Sequence, residues 1–256
     1  MIDCHCHLAD DDFDADIDEV VSRAKEANVK AVIVCAEFSS QFQKILDLSK
    51  KYPGFCKPAL GIHPVQKMNI SVSWDDFEGV EYALRKHSHE ICAIGEVGLD
   101  FTPRYLKKDN DKQIQRDILQ KQIELSKELD LPLNVHSRSA GRPVIDFLIE
   151  NSAQKVLLHA FSGNVKNAEP GIKAGYYFSI PPSFSIKPTE KTPLIKAIPI
   201  DQICLETDSP VLGPVRTERN EPKNIGISAK FIADVKGIPI EEVIHITTQN
   251  ALRLFK

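Results

Sequence analysis

The sequence lacks a long hydrophobic run, a signal-peptide pattern and any repeated Cys-x-x-Cys pair. Its longest apolar runs have the length of a strand, far below the roughly 18 residues that a membrane helix needs. Six cysteines are scattered along a chain that is too long to need disulfides, so we expect free thiols. These absences predict a cytoplasmic protein, with the nucleus as a second compartment, and no membrane contact.

An excess of positive charge is also missing. The net charge of -4 and the pI near 6.1 argue against a protein that coats nucleic acid through bulk electrostatics, because such proteins have basic surfaces. With 42% hydrophobic and 27% charged residues, the composition is that of a globular protein rather than a disordered chain. Local basic patches are compatible with this balance.

Short apolar segments alternate with amphipathic stretches along the whole chain. Eight segments have the pattern of strands: 1–4, 31–36, 57–62, 91–95, 131–135, 155–159, 175–180 and 202–206. Helical patterns lie between them, and no G-x-G-x-x-G turn of an open doubly wound sheet follows the first strand. About 250 residues is typical of one barrel, so we predict an α/β fold with a single (β/α)8 TIM-type barrel over residues 1–256.

The chain opens with a His-x-His motif in the first predicted strand. His5 and His7 alternate with Cys4 and Cys6, so the two imidazoles should face one way and the two thiols the other. Two imidazoles on one face can bind one metal ion. We therefore take the histidines as metal ligands and expect no structural zinc site built on these cysteines.

The same spacing recurs at His87 and His89, but this pair precedes the fourth predicted strand and lies on the opposite rim. We assign it no metal. His245 lies within the last helical pattern and is interpreted as structural or exposed.

The two segments with the least regular pattern, 64–74 and 207–223, follow the third and eighth strands, on the face where barrel enzymes carry out chemistry.

Metal-compatible side chains recur at the carboxyl ends of the predicted strands. His5 and His7 end the first strand, and His63, Glu96, His136, His159 and Asp208 end or follow the third, fourth, fifth, sixth and eighth. A barrel brings these ends together on one face. Without His63, four imidazoles and two carboxylates are too many for one catalytic ion and suit two ions that share a bridge.

Two carboxylates have candidate catalytic roles. Glu96, in a segment with Gly95 and Gly98, is the natural bridge between two ions because it is the lone glutamate among the histidines. Asp208, before Ser209 and Pro210, can contact a metal and accept a proton from the attacking water. The alternative for Asp208 is a turn or N-cap role, which is common for aspartate in this context.

Several cations are candidates for substrate binding. Arg138 lies two residues beyond His136 and could bind a phosphate bidentately, the alternative being a surface salt bridge. Arg216, Arg219 and Lys223 lie in the segment after Asp208, where they could follow a phosphate backbone or simply be solvated. We take His63, Arg138 and Arg219 as substrate-binding candidates.

Eight blocks in this order resemble the TatD family of metal-dependent deoxyribonucleases. They are DCHCHL at 3–8, LGIHP at 60–64, IGEVGLDF at 94–101, NVHSRSAGRP at 134–143, LLHAFSG at 157–163, LETDSP at 205–210, RNEP at 219–222 and TTQNALRLF at 247–255. The resemblance implies an amidohydrolase-like barrel with metal ligands at His5, His7, Glu96, His136, His159 and Asp208. It also implies hydrolysis of DNA phosphodiester bonds by exonucleolytic removal of nucleotides, and it suggests single strands as the substrate.

The chain departs from the family pattern beside the expected pocket. Val65 stands where many members have a second histidine, and Ser139 stands where many have an acidic residue. Neither position is a primary ligand, so the departures bear on substrate positioning and on a third ion near His63. The fourth strand ends in Glu96 without a lysine, so the carboxylated-lysine bridge of many amidohydrolases is absent.

Three functions therefore compete: a two-metal deoxyribonuclease with Asp208 as base, a metal-dependent hydrolase of a small-molecule ester, lactone or amide, and a non-enzymatic metal-binding barrel. The first has DNA as its substrate, and no stable protein partner is indicated. A mixed imidazole and carboxylate site accepts Zn, Mn, Co or Fe. We expect two divalent ions per chain, zinc in the isolated protein and magnesium or manganese as alternatives in activity.

Overall fold

A computed structural model describes residues 1–255, and one eight-stranded parallel sheet runs through them. Its strands are β1 (Ile2–Cys6), β2 (Ala31–Cys35), β3 (Cys56–Leu60), β4 (Ala93–Gly98), β5 (Leu133–His136), β6 (Val156–Leu158), β7 (Tyr177–Ile180) and β8 (Ile203–Leu205). Each strand pairs in parallel with the next one along the chain. Every predicted strand overlaps an observed one, and the predicted (β/α)8 barrel is confirmed.

The gap between β8 and β1 is bridged by the segment that follows β8. The amide of Asp208 donates to the carbonyl of His5 at 2.9 Å, and the amide of His7 donates to the carbonyl of Ser209 at 2.7 Å. These main-chain hydrogen bonds nearly close the barrel. They also hold the segment that carries Asp208 against the strand end that carries the two histidines.

At least one helix follows each strand and covers the outside of the barrel. The helices are α1 (Ile17–Glu26), α2 (Phe42–Lys51), α3 (Trp74–Phe77), α4 (Val80–Lys86), α5 (Asp111–Leu129), α6 (Gly141–Glu150), α7 (Val165–Lys173), α8 (Pro188–Ala197), α9 (Ile225–Lys236) and α10 (Ile240–Leu254). No helix within residues 1–255 combines the length and the apolar character that a membrane span requires.

The segment 64–74 is more ordered than its sequence predicts. Val65–Gln66 pairs antiparallel with Ile70–Ser71, and the turn between them has Met68 in the left-handed region at φ 64°. Strands of two residues leave almost no period-2 pattern, so the expectation of irregular structure was wrong for these four residues.

Alternate strand residues pack on opposite sides of the sheet. In β2, Val32 and Val34 belong to the main core beneath the helices, whereas Ile33 and Cys35 pack with Ala59 in a separate inner cluster. This alternation fills the barrel interior with small side chains below the rim. Longer polar side chains therefore meet above them, at the carboxyl ends of the strands.

The alternation breaks in β1. Cys4 packs with Leu157 and Cys204 in the barrel interior, whereas Cys6 belongs to the main core on the outside of the sheet. The register of β1 against β2 shifts between Asp3 and Cys6, which places both Cys4 and His5 on the inner side. The expectation that both thiols point away from the histidines is therefore wrong for Cys4.

Candidate metal centre

The barrel brings the six predicted metal ligands to one place at the carboxyl ends of five strands. His5 lies in β1 and His7 directly after it, Glu96 lies in β4, His136 ends β5, His159 follows β6 and Asp208 follows β8. All six are buried, and none exposes more than 6% of its surface. Buried imidazoles and carboxylates at this density need a compensating ion or one another.

A first group of donor atoms surrounds His5 and His7. Their Nε2 atoms lie 3.0 Å apart, and each lies 3.3 Å from Oδ1 of Asp208. Oε2 of Glu96 lies 3.5 Å from Nε2 of His5 and 3.3 Å from Nε2 of His7. Ligand atoms of a tetrahedral zinc site are about 3.3 Å apart, so these four atoms have the spacing of one metal ion's ligands.

A second group gathers at the other oxygen of Glu96. Its Oε1 lies 2.8 Å from Nδ1 of His136 and 2.8 Å from Nε2 of His159, and those two nitrogens are 3.3 Å apart. His63 also reaches this group, with its Nε2 3.5 Å from Oε1. The two oxygens of one carboxylate thus face two groups of donors, which is the arrangement that a bridging ligand needs.

Overlapping sets of three donors in the described residues could hold a metal ion, among them His5 with His7 and Glu96, His5 with His159 and Asp208, and His63 with Glu96 and His136. His63 was assigned to substrate binding from its position after the third strand. In the structure its Nε2 lies near Glu96 and its Nδ1 lies 2.7 Å from the carbonyl of Val65, so its position is compatible with a metal ligand as well as with a substrate contact.

The far nitrogens of the first two histidines are held by neighbouring polar groups. Nδ1 of His5 lies 2.8 Å from Oδ1 of Asn134, whose amide nitrogen in turn donates to the carbonyl of Cys4 at 2.8 Å. Nδ1 of His7 donates to the carbonyl of Cys35 at 3.2 Å. These contacts place the proton on Nδ1 and turn the lone pair of each Nε2 toward the centre.

His136 is held from the opposite side by a carboxylate. Its Nε2 lies 3.2 Å from Oδ2 of Asp100, so its Nδ1 is the nitrogen that faces the donors. Burial would raise the pKa of Asp100, but hydrogen bonds from His136 and Thr102 lower it to about 2. Asp100 is therefore ionised and fixes the ring orientation.

The sequence pattern predicts only one of these supporting residues. Asn134 stands two residues before His136 in a strand, so period-2 alternation places it on the same face, one step below. Asp100 follows the end of β4 and has no such signal. Its role depends on which ring nitrogen of His136 faces the centre.

His159 has a buried ring nitrogen without a partner. Its Nδ1 makes no hydrogen bond within residues 1–255 and lies 3.8 Å from Oε2 of Glu206, while Oε1 of Glu206 is also unpartnered. Ser179 donates to Oε2, and burial raises the pKa of Glu206 to about 8. The unpartnered Nδ1 faces Glu206, so Nε2 is the nitrogen that lies among the donors, 2.8 Å from Oε1 of Glu96. The imidazoles and carboxylates gathered there have the donor chemistry that a divalent ion needs.

Burial and charge act differently on the two kinds of histidine in the centre. Burial lowers the pKa of His63 to about 3 and that of His159 to about 4, so both imidazoles are neutral. Burial would also lower the pKa of His5, His7 and His136, but the carboxylates around them raise it. Burial alone would raise the pKa of Glu96 and Asp208, but the surrounding imidazoles lower both below their ordinary values. Metal ions bind neutral imidazoles and ionised carboxylates, so an ion would displace the protons that this cluster holds in its absence.

Two glycines allow the donor-bearing strands to pass close together. A Cβ on Gly98 would lie 2.2 Å from the carbonyl oxygen of His136, and its φ of 141° strains any other residue. A Cβ on Gly95 would lie 2.6 Å from Cβ of Asn134. The glycines around Glu96 therefore serve close backbone approach, as the sequence suggested.

The segment that carries Asp208 is locked in an unusual backbone conformation. Asp208 has φ 54°, in the left-handed region that aspartate and asparagine tolerate better than most residues. The buried Asn220 donates to the carbonyls of Thr207 at 2.7 Å and Val211 at 2.8 Å, holding the segment on both sides of Asp208. The sequence did not single out Asn220, which lies in the RNEP block.

The two predicted phosphate-binding arginines differ in their surroundings. Arg138 is exposed at the lip of a cavity of about 140 Å³ above the donors and forms no ion pair with residues 1–255. Arg219 instead donates to both carboxylate oxygens of Asp16, at 2.8 and 2.6 Å, and to Glu221 at 3.2 Å. The structure does not bring Arg219 to the donors but uses it to tie the segment after β8 to residues near α1.

Comparison with known proteins identifies a single family. Residues 2–256 match the family model described as TatD related DNase. A human relative, deoxyribonuclease TATDN3, is 53% identical and covers all of this chain and 94% of its own length. A Bacillus subtilis relative, the uncharacterized metal-dependent hydrolase YabD, is 33% identical, covering 100% of this chain and 99% of its own. The solved structure of YjjV, a TatD homologue from Escherichia coli, is 27% identical with a TM-score of 0.89, covering 100% of this chain and 97% of its own.

Proposed function

Because this chain belongs to the family of TatD related DNases, we propose that it hydrolyses phosphodiester bonds of DNA through a two-metal centre, releasing nucleotides from strand ends. The observation that carries the two-metal assignment is the position of Glu96. Its Oε2 faces His5 and His7, and its Oε1 faces His136 and His159. Each oxygen of the Glu96 carboxylate therefore faces a different group of donor atoms.

The residues fall into two ligand sets on this proposal. His5, His7, Asp208 and Glu96 would hold the first ion, and His136, His159 and Glu96 would hold the second. When bound, divalent ions in such a pair neutralise charge on the phosphate and lower the pKa of water. His63 lines the cavity over the donors and has its Nε2 3.5 Å from Oε1 of Glu96, so it could add a further nitrogen to the second set.

Asp208 is the proposed proton acceptor. Its carboxylate faces His5 and His7 at 3.3 Å, and the same imidazoles keep its pKa low, so it is ionised at neutral pH. It also lines the two cavities above the donors, where the attacking water would lie. Arg138 lines both cavities as well, and its unpaired guanidinium is placed to bind the phosphate.

Zinc is the proposed metal of the isolated protein. Imidazole nitrogens equal carboxylate oxygens in the first ligand set and outnumber them in the second, and this mixture favours zinc over magnesium, which prefers oxygen ligands. Manganese and magnesium are the ions to compare with zinc in activity assays.

All six cysteines are free, and five of them are buried, which supports a reducing compartment such as the cytoplasm.

The test is digestion of an end-labelled oligonucleotide with added metals or chelator, comparing the wild type with Asp208→Asn. Asparagine tolerates the left-handed backbone of position 208, so the substitution removes the charge and preserves the fold. We expect stepwise release of labelled nucleotides by the wild type and a loss of about a hundredfold or more in the variant. A wild type that ignores DNA and hydrolyses small esters, lactones or amides would instead support the alternative hydrolase function.

A further inference from the structure

The buried carboxyl of Glu206 lies beneath the metal centre and has no role in the proposed function. Glu206 directly follows β8, two residues before Asp208, and exposes none of its surface. Cys204, two residues earlier, packs in the barrel interior, so strand alternation directs Glu206 inward as well. Glu206 therefore stands one step below Asp208, as Asn134 stands one step below His136.

Glu206 and His159 are neighbours that both carry an unpartnered polar atom. Nδ1 of His159 lies 3.8 Å from Oε2 of Glu206, which is too far for a hydrogen bond. Neither this nitrogen nor Oε1 of Glu206 has a hydrogen-bond partner within residues 1–255, although both side chains are buried. Buried polar groups of folded proteins are nearly always hydrogen-bonded, so this pair points to a role that uses these atoms.

Neighbouring elements hold Glu206 in place. The hydroxyl of Ser179, in β7, donates to Oε2, and the amide of Glu206 donates to the carbonyl of Ile180 at 3.4 Å. The hydroxyl of Ser228, in α9, donates to the carbonyl of Glu206 at 3.4 Å. The carboxyl is therefore fixed beside His159, and its Oε1 is free to accept a hydrogen bond.

The ring of His159 is oriented by the other donors. It stacks on the ring of His5, with centroids 3.7 Å apart and planes 7° apart, and its Nε2 lies 2.8 Å from Oε1 of Glu96. A neutral imidazole carries one proton, so when the lone pair of Nε2 binds an ion the proton is on Nδ1. That N–H then points toward Glu206 and needs an acceptor in the barrel interior.

The other three imidazoles of the ligand sets all have an acceptor at the ring nitrogen that faces away from the donors. The acceptors are a side-chain amide, a main-chain carbonyl and a carboxylate, at 2.8, 3.2 and 3.2 Å: Asn134 for His5, Cys35 for His7 and Asp100 for His136. Such partners fix the ring and raise the basicity of the ligating nitrogen. His159 is the fourth imidazole, and Glu206 faces its far nitrogen.

We propose that Glu206 is the positioning residue of His159, and that its carboxyl accepts a hydrogen bond from Nδ1 when Nε2 binds the second ion. The separation of 3.8 Å then closes to about 2.8–3.0 Å, the usual length of such a bond. A carboxyl group has an acceptor oxygen whether or not it is ionised, so the role does not depend on the charge of Glu206. The inference rests on the proposed function only for His159 as a metal ligand.

The first experiment titrates the metal-free protein with zinc against a competing chelator and compares the wild type with Glu206→Met. Methionine has a similar size and no oxygen, so the affinity for the second ion should fall about 10- to 100-fold. The affinity for the first ion should stay unchanged because His159 is not in its ligand set, whereas a general disturbance of the barrel would weaken both ions. Glu206→Gln keeps a carbonyl oxygen and should recover most of the lost affinity.

The matched control is Glu169→Met, which replaces an exposed glutamate of α7 that pairs with Lys173. It should bind both ions like the wild type. Wild-type affinity for the second ion in Glu206→Met, or an equal loss in Glu206→Met and Glu206→Gln, would overturn the inference.

The position of the His159 proton is a readout that needs no variant of Glu206. Two-bond proton–nitrogen NMR spectra of the zinc-loaded wild type, with ¹⁵N-labelled histidine, should place this proton on Nδ1, and His159→Gln identifies the resonance. The proton should exchange with solvent faster in Glu206→Met than in the wild type, because its hydrogen bond is lost. A proton on Nε2 of His159 in the zinc-loaded wild type contradicts the proposed role.

DNA cleavage is measured in parallel, so that this inference and the proposed function can fail separately. If the wild type cleaves neither DNA nor a small phosphodiester while Glu206→Met loses affinity for the second ion, the nuclease proposal fails and the role of Glu206 stands. If the wild type cleaves DNA and Glu206→Met binds zinc and cleaves DNA equally well, the role of Glu206 fails and the nuclease proposal stands.

Discussion

Nε2 of His136 lies 3.2 Å from Oδ2 of the buried Asp100, so a carboxylate holds the side of the imidazole that faces away from the metal donors. The opposite nitrogen, Nδ1, lies 2.8 Å from Oε1 of Glu96. The charge of Asp100 thus fixes the proton on Nε2 and raises the basicity of the nitrogen that would bind metal.

Replacing Asp100 with asparagine removes this charge and keeps the size of the side chain. We expect metal affinity to fall about 10- to 100-fold, because partners that orient a ligating histidine contribute that much to binding. Titration of the metal-free protein with zinc, using a competing chelator, measures the change. Asp201→Asn, at an exposed position before β8, is the control and should bind zinc like the wild type. If Asp100→Asn bound zinc as tightly as Asp201→Asn does, Asp100 would not be needed to orient His136 for metal binding.

Close approach of β4 and β5 predicts a large effect for Gly98→Ala. The added Cβ would lie 2.2 Å from the carbonyl oxygen of His136, at a backbone conformation that strains alanine. We expect the free energy of unfolding to fall by about 3 kcal/mol or more, measured by urea denaturation.

The matched control is Gly226→Ala in α9, where a Cβ meets nothing within 4 Å. There alanine should leave the protein unchanged or stabilise it by up to about 1 kcal/mol. If Gly98→Ala were as harmless as Gly226→Ala, the two strands would not approach as closely as described.

The ion pairs of Arg219 predict a structural rather than a substrate-binding role. Arg219→Met should lower Tm by about 2–4 °C at pH 7, since it breaks a bidentate pair with Asp16. It should leave kcat and KM for DNA cleavage unchanged. An increase of about tenfold in KM for DNA would restore Arg219 as a substrate-binding residue.

The stability lost in Arg219→Met should depend on pH. Hydrogen bonds from Arg219 are the largest cause that lowers the pKa of Asp16 to about 2 in the folded protein, from 3.8. Because the folded-state pKa is lowered, this stabilisation is present above pH 3.8 and is lost as the pH falls through 2. The difference in Tm between wild type and variant should therefore shrink between pH 4 and pH 2. A difference that stayed constant over this range would mean that the pair is not its source.

Position, rather than spacing, separates the two His-x-His motifs of the chain. His5 and His7 lie at the carboxyl end of β1 and join the donors. His87 follows α4, where its Nδ1 lies 2.7 Å from Glu90, and His89 is exposed. Strand periodicity alone distinguishes these cases, because it predicts which end of the barrel each pair occupies.

The inward position of Cys4, the role of Asp100 and the position of His63 depend on local geometry that cannot be predicted from one sequence. The register shift in β1 turns Cys4 inward. The role of Asp100 depends on the ring orientation of His136, and the place of His63 among the donors depends on the path of the segment after β3. Strand order and site location follow from periodicity, whereas bulges, ring orientations and ion pairs arise from tertiary contacts.

Hydrolysis of DNA by this protein should need two ions with Glu96 between them. The direct measurement is stoichiometric titration of the metal-free protein with zinc or manganese while release of an end-labelled nucleotide is followed, for the wild type and Glu96→Gln. Wild-type activity should rise until two ions are bound per chain, whereas the variant should bind fewer ions and stay inactive. The two-ion proposal fails if the wild type is fully active with one ion per chain, or if Glu96→Gln binds two ions and cleaves DNA like the wild type.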